Sequence, residues 1–252
     1  MNYIVIIPAR YSSSRLPGKP LMDICGKTMI ERVVEKALKA GAQRVIVATD
    51  DERIANVCKI ANAEYCMTSK EHNSGTERIA EVVEKLNLKD DEIVVNVQGD
   101  EPLIPPENIL QVAELLANSE ASMSTLCAKT SGEDVFNPNC VKVIMNEKGE
   151  AIYFSRAPIP YERNNFRAGN MAALEGHARH IGIYAYRAGF IRDYVKMEPC
   201  ALENIESLEQ LRVIYYGYKI AVDYAKKDPL VGVDTIEDLE RVRDIFANKD
   251  VN

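Results

Sequence analysis

Between residues 3 and 97 the chain alternates between two hydrophobic periods, and this alternation restricts its fold more than any other feature. Short apolar runs at 3–7 (YIVII), 44–48 (RVIVA), 64–67 (EYCM) and 92–97 (EIVVNV) read as strands. Amphipathic segments lie between them. In the first, 28–41, Met29, Ile30, Val33, Val34, Ala37 and Leu38 share one helical face, and Gly41 suits the C-terminal stop. Residues 52–63 and 75–86 repeat the pattern. A helix between two strands acts as a crossover, so neighbouring strands run parallel. The expected fold is α/β, a mostly parallel sheet with helices on both faces.

From about residue 120 the pattern changes. Strand-like pieces MSTLCA, CVKVIM, AIYFS and HIGIYAY are separated by Pro-rich or polar links. They are expected to extend the sheet and to build a smaller mixed β lobe, mainly from about 130–190, within a single domain spanning 1–252. Residues 163–178 (RNNFRAGNMAALEGHA) read as an exposed mobile loop, and there are no internal repeats.

Charge narrows the partners. With 31 Lys and Arg against 38 Asp and Glu the net charge is -7, and a nucleic-acid or anionic-membrane binder leans the other way. No run approaches the roughly 20 apolar residues of a membrane span, and the N-terminus has no signal-peptide pattern. The six cysteines show neither Cys-x-x-Cys nor zinc-finger spacing and read as reduced thiols. A cytoplasmic protein is expected.

Ligands of such sheets sit beyond the carboxyl ends of the strands, and the unusual residues gather there. The loop after the first strand, PARYSSSRLPGKP, carries Arg10, Arg15 and Lys19 between prolines. GKT at 26–28 is not a P-loop, because Leu21 stands where that motif needs Gly, and no G-x-G-x-x-G follows the first strand. Guanidinium groups grip phosphate as a planar fork and an ammonium acts as a point charge, so this loop suits a polyphosphate. The other strand-end loops are TDD, SKEHNSGTE and QGDEPLIPP.

Seven blocks, IIPARYSSSRLPGKPL, MTSKEHNSGTER, VNVQGDEPLIPP, FSRAPIPY, RHIGIYAYR, LEQLR and VGVDT, occur in an order and spacing that resemble the 3-deoxy-manno-octulosonate (Kdo) cytidylyltransferases. The resemblance runs from residue 4 to about 246. It implies a Rossmann-like nucleotidyltransferase fold, CTP and Kdo as substrates, Mg²⁺ as cofactor and a homodimer formed through the smaller lobe. It places Arg10, Arg15 and Lys19 on the triphosphate, and Ser74, Gly75, Arg78 and Gln98 in the nucleotide pocket. Asp100 and Asp234 become the Mg²⁺ ligands and, with Lys19 and Arg15, the catalytic set.

The resemblance also implies Arg156, His180, Tyr184, Glu209 and Gln210 as sugar residues, a set whose cation and polar groups suit an acidic sugar. Several of these residues have plain structural readings as well. Ser74 with Glu77 forms a capping-box pattern, Gly99-Asp100 is turn-forming, and Asp234 or Thr235 suits a helix N-cap. A cytidylyltransferase for 8-amino-Kdo or sialic acid, or a nucleotide-sensing protein on the same fold, are the alternative functions.

Overall fold

A computed structural model describes residues 1–12, 16–170, 176–228, 230 and 232–249. The first strand, Ile4–Ala9 (β1), is buried apart from Pro8, as a strand covered by helices on both faces requires. A small hairpin follows, Asp23–Ile24 (β2) and Lys27–Thr28 (β3). It turns through Cys25 and Gly26, both at positive φ. Thr28 and Glu31 then form a capping box that starts helix Met29–Lys39 (α1).

The alternation continues as strand Arg44–Thr49 (β4), helix Glu52–Ile60 (α2), strand Glu64–Met67 (β5), helix Gly75–Lys85 (α3) and strand Ile93–Asn96 (β6). β1 runs parallel to β4 on one side and to β6 on the other, and β5 lies outside β4. The chain thus leaves β1 in one direction and returns past it to β6. That reversal opens a crevice at the carboxyl ends of β1 and β6.

The second half contributes helix Pro106–Ala117 (α4), strands Met123–Thr130 (β7), Lys142–Met145 (β8) and Ala151–Ser155 (β9), helix Arg163–Ala168 (α5) and strand His177–Arg187 (β10). Helices Ala188–Tyr194 (α6), Ala201–Glu206 (α7) and Gln210–Tyr215 (α8), strand Ile220–Tyr224 (β11) and helix Ile236–Lys249 (α9) complete it. β10 is antiparallel to both β6 and β7, which makes the sheet mixed, in the order β11-β7-β10-β6-β1-β4-β5. The β8–β9 hairpin attaches to β10 through the Arg179–Lys142 pair.

Within 163–178 the chain forms α5 over its first six residues and enters β10 at His177, where a loop is expected from the sequence; 171–175 lie outside the described residues. α5 buries none of its residues, so it has no apolar stripe to announce it. All six cysteines are free thiols.

Apolar side chains form three clusters. One sheet face packs against α1 and α4, with Val33, Ile109 and Val112 at its centre. The other packs against α3, α6 and α8, with Ile79, Val83, Ile191 and Leu211. The third is small and joins Leu16, Leu103 and Val233 of the loops to Ile24 of β2, Met29 of α1 and Leu239 and Val242 of α9. It lies away from the sheet's centre and seats α9 against the β2–β3 hairpin, where Arg243 Nε donates to the Asp23 carbonyl at 2.9 Å. Full burial of a Val or Leu contributes about 1.5–3 kcal/mol, so even a small cluster can hold these loops in register.

Candidate active site

Lys19 is the centre of the crevice. Gly18, at φ 72°, donates its N–H to the Tyr11 carbonyl at 3.0 Å and closes the loop after β1. Only a residue at ease in the left-handed region makes this turn without strain. The Lys19 ammonium then donates to Asp100 Oδ2 at 2.7 Å, to the Val233 carbonyl at 2.9 Å and to Asp234 Oδ1 at 3.3 Å. One cation thus joins loops from three distant parts of the chain.

The backbone makes this meeting possible. A Cβ on Gly99 would lie 2.9 Å from the Pro8 carbonyl oxygen, so glycine lets the loop after β6 cross the end of β1. Asp100 sits in a turn closed by Glu101 N–H on the Gln98 carbonyl at 3.2 Å. The turn reading and the functional reading of Asp100 hold together. The segment before α9 is stitched to the same turn, with Val233 N–H donating to the Asp100 carbonyl at 2.9 Å. The cap of α9 is built by Thr235, whose hydroxyl accepts from Asp238 N–H at 3.2 Å, while Asp238 accepts from the N–H groups of Asp234 and Thr235. Asp234 therefore does not cap with its side chain and directs it toward Lys19.

Around this ion cluster lies a cleft of about 290 Å³ lined by Arg10, Lys19, His72, Asn73, Ser74, Gly75, Arg78, Gln98, Asp100 and Asp234, with Pro8, Ala9, Pro20 and Gly99. Every described member of the predicted phosphate, nucleotide and metal sets is present. Arg15 lies outside the described residues. Ser74 caps α3 by accepting Glu77 N–H at 3.2 Å, but the Glu77 carboxylate reaches back to Asn73 N–H rather than to Ser74, so the box is half formed. The N-terminus of α3 opens into the cleft, where its partial positive charge favours an anion.

Arg78 is a wall of the cleft more than an arm reaching into it. Its buried guanidinium donates to Asp50 Oδ2 at 2.9 Å and to the Ser69 carbonyl at 3.2 Å, and also to the Thr68 hydroxyl. It ties the loop after β5 to the end of β4. His72 was not foreseen from the sequence. Its Nε2 lies 2.6 Å from Glu81 Oε2. Burial raises the Glu81 carboxyl, but hydrogen bonds from Lys85, Ser69 N–H and His72 outweigh it and bring the pKa down to about 2. His72 lies in the strand-end loop SKEHNSGTE, and its partner Glu81, nine residues on in α3, carries no sequence signal.

The predicted sugar residues behave differently. Tyr184 is buried and stands opposite Asn96 across the β6–β10 ladder. His180 meets Phe154 edge to face and lies tilted against Tyr184, and its Nε2 lies 3.0 Å from the Thr125 hydroxyl. Burial pushes its pKa down to about 3, so the ring is neutral near pH 7 and offers a dipole without a charge. Burial also raises the Glu209 carboxyl; its Oε1 accepts from Thr76, next to the cleft residue Gly75, at 2.9 Å. Gln210 is buried beside it. None of these five residues is among those lining the cleft, and the Arg156 guanidinium donates to the carbonyls of Glu206, Pro138 and Ser207 at 2.7, 2.9 and 3.3 Å.

Among the described residues no group of three or more His, Cys, Asp or Glu side chains converges as a closed metal cage. Asp100 and Asp234 fit an open site of the kind Mg²⁺ uses, with one or two carboxylates and the remaining oxygens from substrate and water. Their shared hold on the Lys19 ammonium shows that the geometry already gathers positive charge.

Comparison with known proteins agrees with this geometry. A family profile described as Cytidylyltransferase matches residues 4–220. A 3-deoxy-manno-octulosonate cytidylyltransferase of Actinobacillus pleuropneumoniae serotype 5b is 59% identical over 98% of this chain and 100% of its own, and one from Vibrio vulnificus (strain CMCP6) is 59% identical over 99% and 100%. A solved CMP:2-keto-3-deoxy-manno-octonic acid synthetase complexed with CTP superposes with a TM-score of 0.90 at 40% identity, covering 99% of this chain and 100% of that one. A 4-diphosphocytidyl-2C-methyl-D-erythritol synthase, at 14% identity and a TM-score of 0.64 over 97% of each chain, shares the fold. The chain belongs to the cytidylyltransferase family, among the 3-deoxy-manno-octulosonate cytidylyltransferases.

Proposed function

We propose that this protein transfers CMP from CTP to the anomeric hydroxyl of Kdo, forming CMP-Kdo and pyrophosphate, as a Mg²⁺-dependent step in lipopolysaccharide synthesis. The observation that carries the reading is the meeting of Lys19, Asp100 and Asp234 at the mouth of a cleft closed on one side by the N-terminus of α3. The sugar hydroxyl gives up its proton to solvent as its oxygen attacks the α-phosphorus, the bond from that phosphorus to the bridging oxygen breaks, and pyrophosphate leaves with the electron pair. No covalent enzyme intermediate is needed.

The residues divide the work by charge. Arg10 and Lys19, with Arg15 from the same loop, neutralise the triphosphate and the leaving pyrophosphate. Lys19 must exchange part of its hold on Asp100 and Asp234 for phosphate oxygens as the nucleotide arrives. Ser74, Gly75 and Gln98 shape the nucleotide wall, and the carboxylates of Asp100 and Asp234 would hold the metal. When bound there, Mg²⁺ supplies a positive centre that stabilises developing charge and acidifies the sugar hydroxyl. His180, Tyr184, Glu209 and Gln210 offer dipoles for sugar hydroxyls; the metal is the cation for its carboxylate, and Arg156 joins it only by leaving its carbonyl partners.

We further read the protein as a cytoplasmic homodimer paired through the region of about 130–190. Free thiols support the compartment. The test of the reaction is direct. Purified protein with Mg²⁺, CTP and Kdo should release pyrophosphate and form CMP-Kdo, and omission of any one component should stop it. Preference for 8-amino-Kdo or sialic acid would move the acceptor. CTP binding with no pyrophosphate from any of these acids would return the protein to the nucleotide-sensing alternative.

A further inference from the structure

Asn96 ends β6, two residues before Gln98, and its side chain is completely buried with neither amide atom hydrogen-bonded. A buried amide without partners is costly and uncommon, since a core position of this kind is ordinarily filled by an apolar side chain. Gln210 is nearly as buried, and its Nε2 also has no partner. Both groups belong to one side of the sheet. Side chains alternate along a strand, so Asn96 shares a face with Val94, which packs with Tyr184, Tyr186 and Leu211.

Polar side chains lie between the two amides, Tyr186 beside Asn96 and Thr76, and Thr76 on Glu209. The Tyr186 hydroxyl approaches both Asn96 and Thr76, although no bond of ordinary geometry joins it to Asn96. Thr76 donates to Glu209, whose chain neighbour is Gln210. Thr76 in turn follows Gly75, which lines the cleft. The unmet groups are one acceptor, Asn96 Oδ1, and two donors, Asn96 Nδ2 and Gln210 Nε2. A ligand that satisfies this set presents donors and acceptors together and carries no charge at that point, which describes the hydroxyl groups of a polyol.

We propose that Asn96 is a further specificity residue of the acceptor site: its amide, together with that of Gln210, hydrogen-bonds hydroxyls of the sugar, and both lack partners because they are kept for it. The proposal rests on the cytidylyltransferase reading above. It implies that the free protein gives up stability at this position for recognition.

The test uses Asn96→Ala, Asn96→Thr and Gln210→Met in the full-length protein. Each variant is measured for sugar KM at saturating CTP, CTP KM at saturating sugar, and melting temperature. Asn96→Ala should raise the sugar KM by about 5- to 50-fold, the equivalent of one or two lost hydrogen bonds, with the CTP KM changed by less than about twofold. Its melting temperature should hold or rise, because an unsatisfied polar group has left the core. Asn96→Thr, close to Asn in size and still able to donate and accept, should recover part of the loss. Gln210→Met should repeat the pattern of Asn96→Ala.

A lower melting temperature with an unchanged sugar KM would show that buried water satisfies Asn96 in a structural role and would overturn the proposal, as would equal rises in both KM values. If Asn96→Ala fails to fold, the free amide was holding the core together and the proposal falls unless Asn96→Thr shows the selective rise. A parent protein that forms no CMP-sugar refutes the reaction itself; a parent that forms it with Asn96 variants unaltered refutes only the role of Asn96.

Discussion

The ion cluster at the mouth of the cleft and the buried pair Glu209 and His180 meet opposite electrostatic demands. At the mouth, the Lys19 ammonium lies 2.7 Å from Asp100 Oδ2 and 3.3 Å from Asp234 Oδ1, so opposite charges offset one another. At the buried pair, burial raises the carboxyl of Glu209 and lowers His180, driving both toward their neutral forms. The difference follows what each ligand brings. A metal-bound triphosphate carries its own charge and can exchange with resident ions, whereas a sugar hydroxyl is best met by dipoles that do not need hydration.

The comparison can be broken by making the same substitution at both ends. Asp100→Asn and Asp234→Asn should each lower turnover by about 100-fold or more with the fold retained, since removal of one group aimed at transition-state charge costs about 10²–10³ in rate. Circular dichroism and pyrophosphate release check both parts. Unfolding, or near-normal turnover at limiting Mg²⁺, would remove either aspartate from the catalytic set. Lys19→Ala should raise the CTP requirement by about 10- to 150-fold, the worth of a charged hydrogen bond, and leave the sugar KM much less changed. Arg15→Ala tests the rest of that loop in the same assay. Glu209→Gln replaces a carboxyl that burial pushes toward its neutral form by an amide of similar shape, so its cost should be small, about 10-fold or less, on the scale of one neutral hydrogen bond. A loss as large as that of the aspartates would mean that Glu209 works as an anion and that the two regions are alike.

His180 sharpens the contrast through pH. Its folded pKa of about 3 lies below the unfolded value of 6.5, so between these values the unfolded chain binds the extra proton. The stability it contributes is present above pH 6.5 and is lost as pH falls toward 3, by up to about 1.4 kcal/mol per pH unit. Urea denaturation of the parent and His180→Gln at pH 7 and pH 5 measures this. The variant should lose less stability on acidification, and parallel losses would show that the ring is solvated.

Much of this arrangement was legible in the residues. The strand–helix alternation indicates β1, β4, β5 and β6 and therefore the end of the sheet where Arg10, Lys19, Ser74, Gln98 and Asp100 gather. α4 has no clear sequence signal, because Pro105 precedes it, Pro106 opens it, and its apolar residues Ile109, Leu110, Val112, Ala113, Leu115 and Leu116 spread beyond a narrow stripe. Neutral His180 was not foreseen for a related reason: a pKa depends on what surrounds the ring in three dimensions, and sequence shows only its neighbours. The same holds for Arg78, whose partner Asp50 lies at the end of another strand, and for Arg156, whose three carbonyl partners carry no side-chain signature.

The third apolar cluster gives the molecule two levels of thermal resistance. Leu16, Leu103 and Val233 hold the segments carrying Lys19, Asp100 and Asp234, yet their cluster is far smaller than either core beside the sheet. Regions with few buried apolar contacts open at lower free energy than the whole fold. On warming, α9 and the β2–β3 hairpin should therefore separate while the sheet is intact, and the enzyme should pass through a range of temperature in which it is folded, idle and able to recover on cooling.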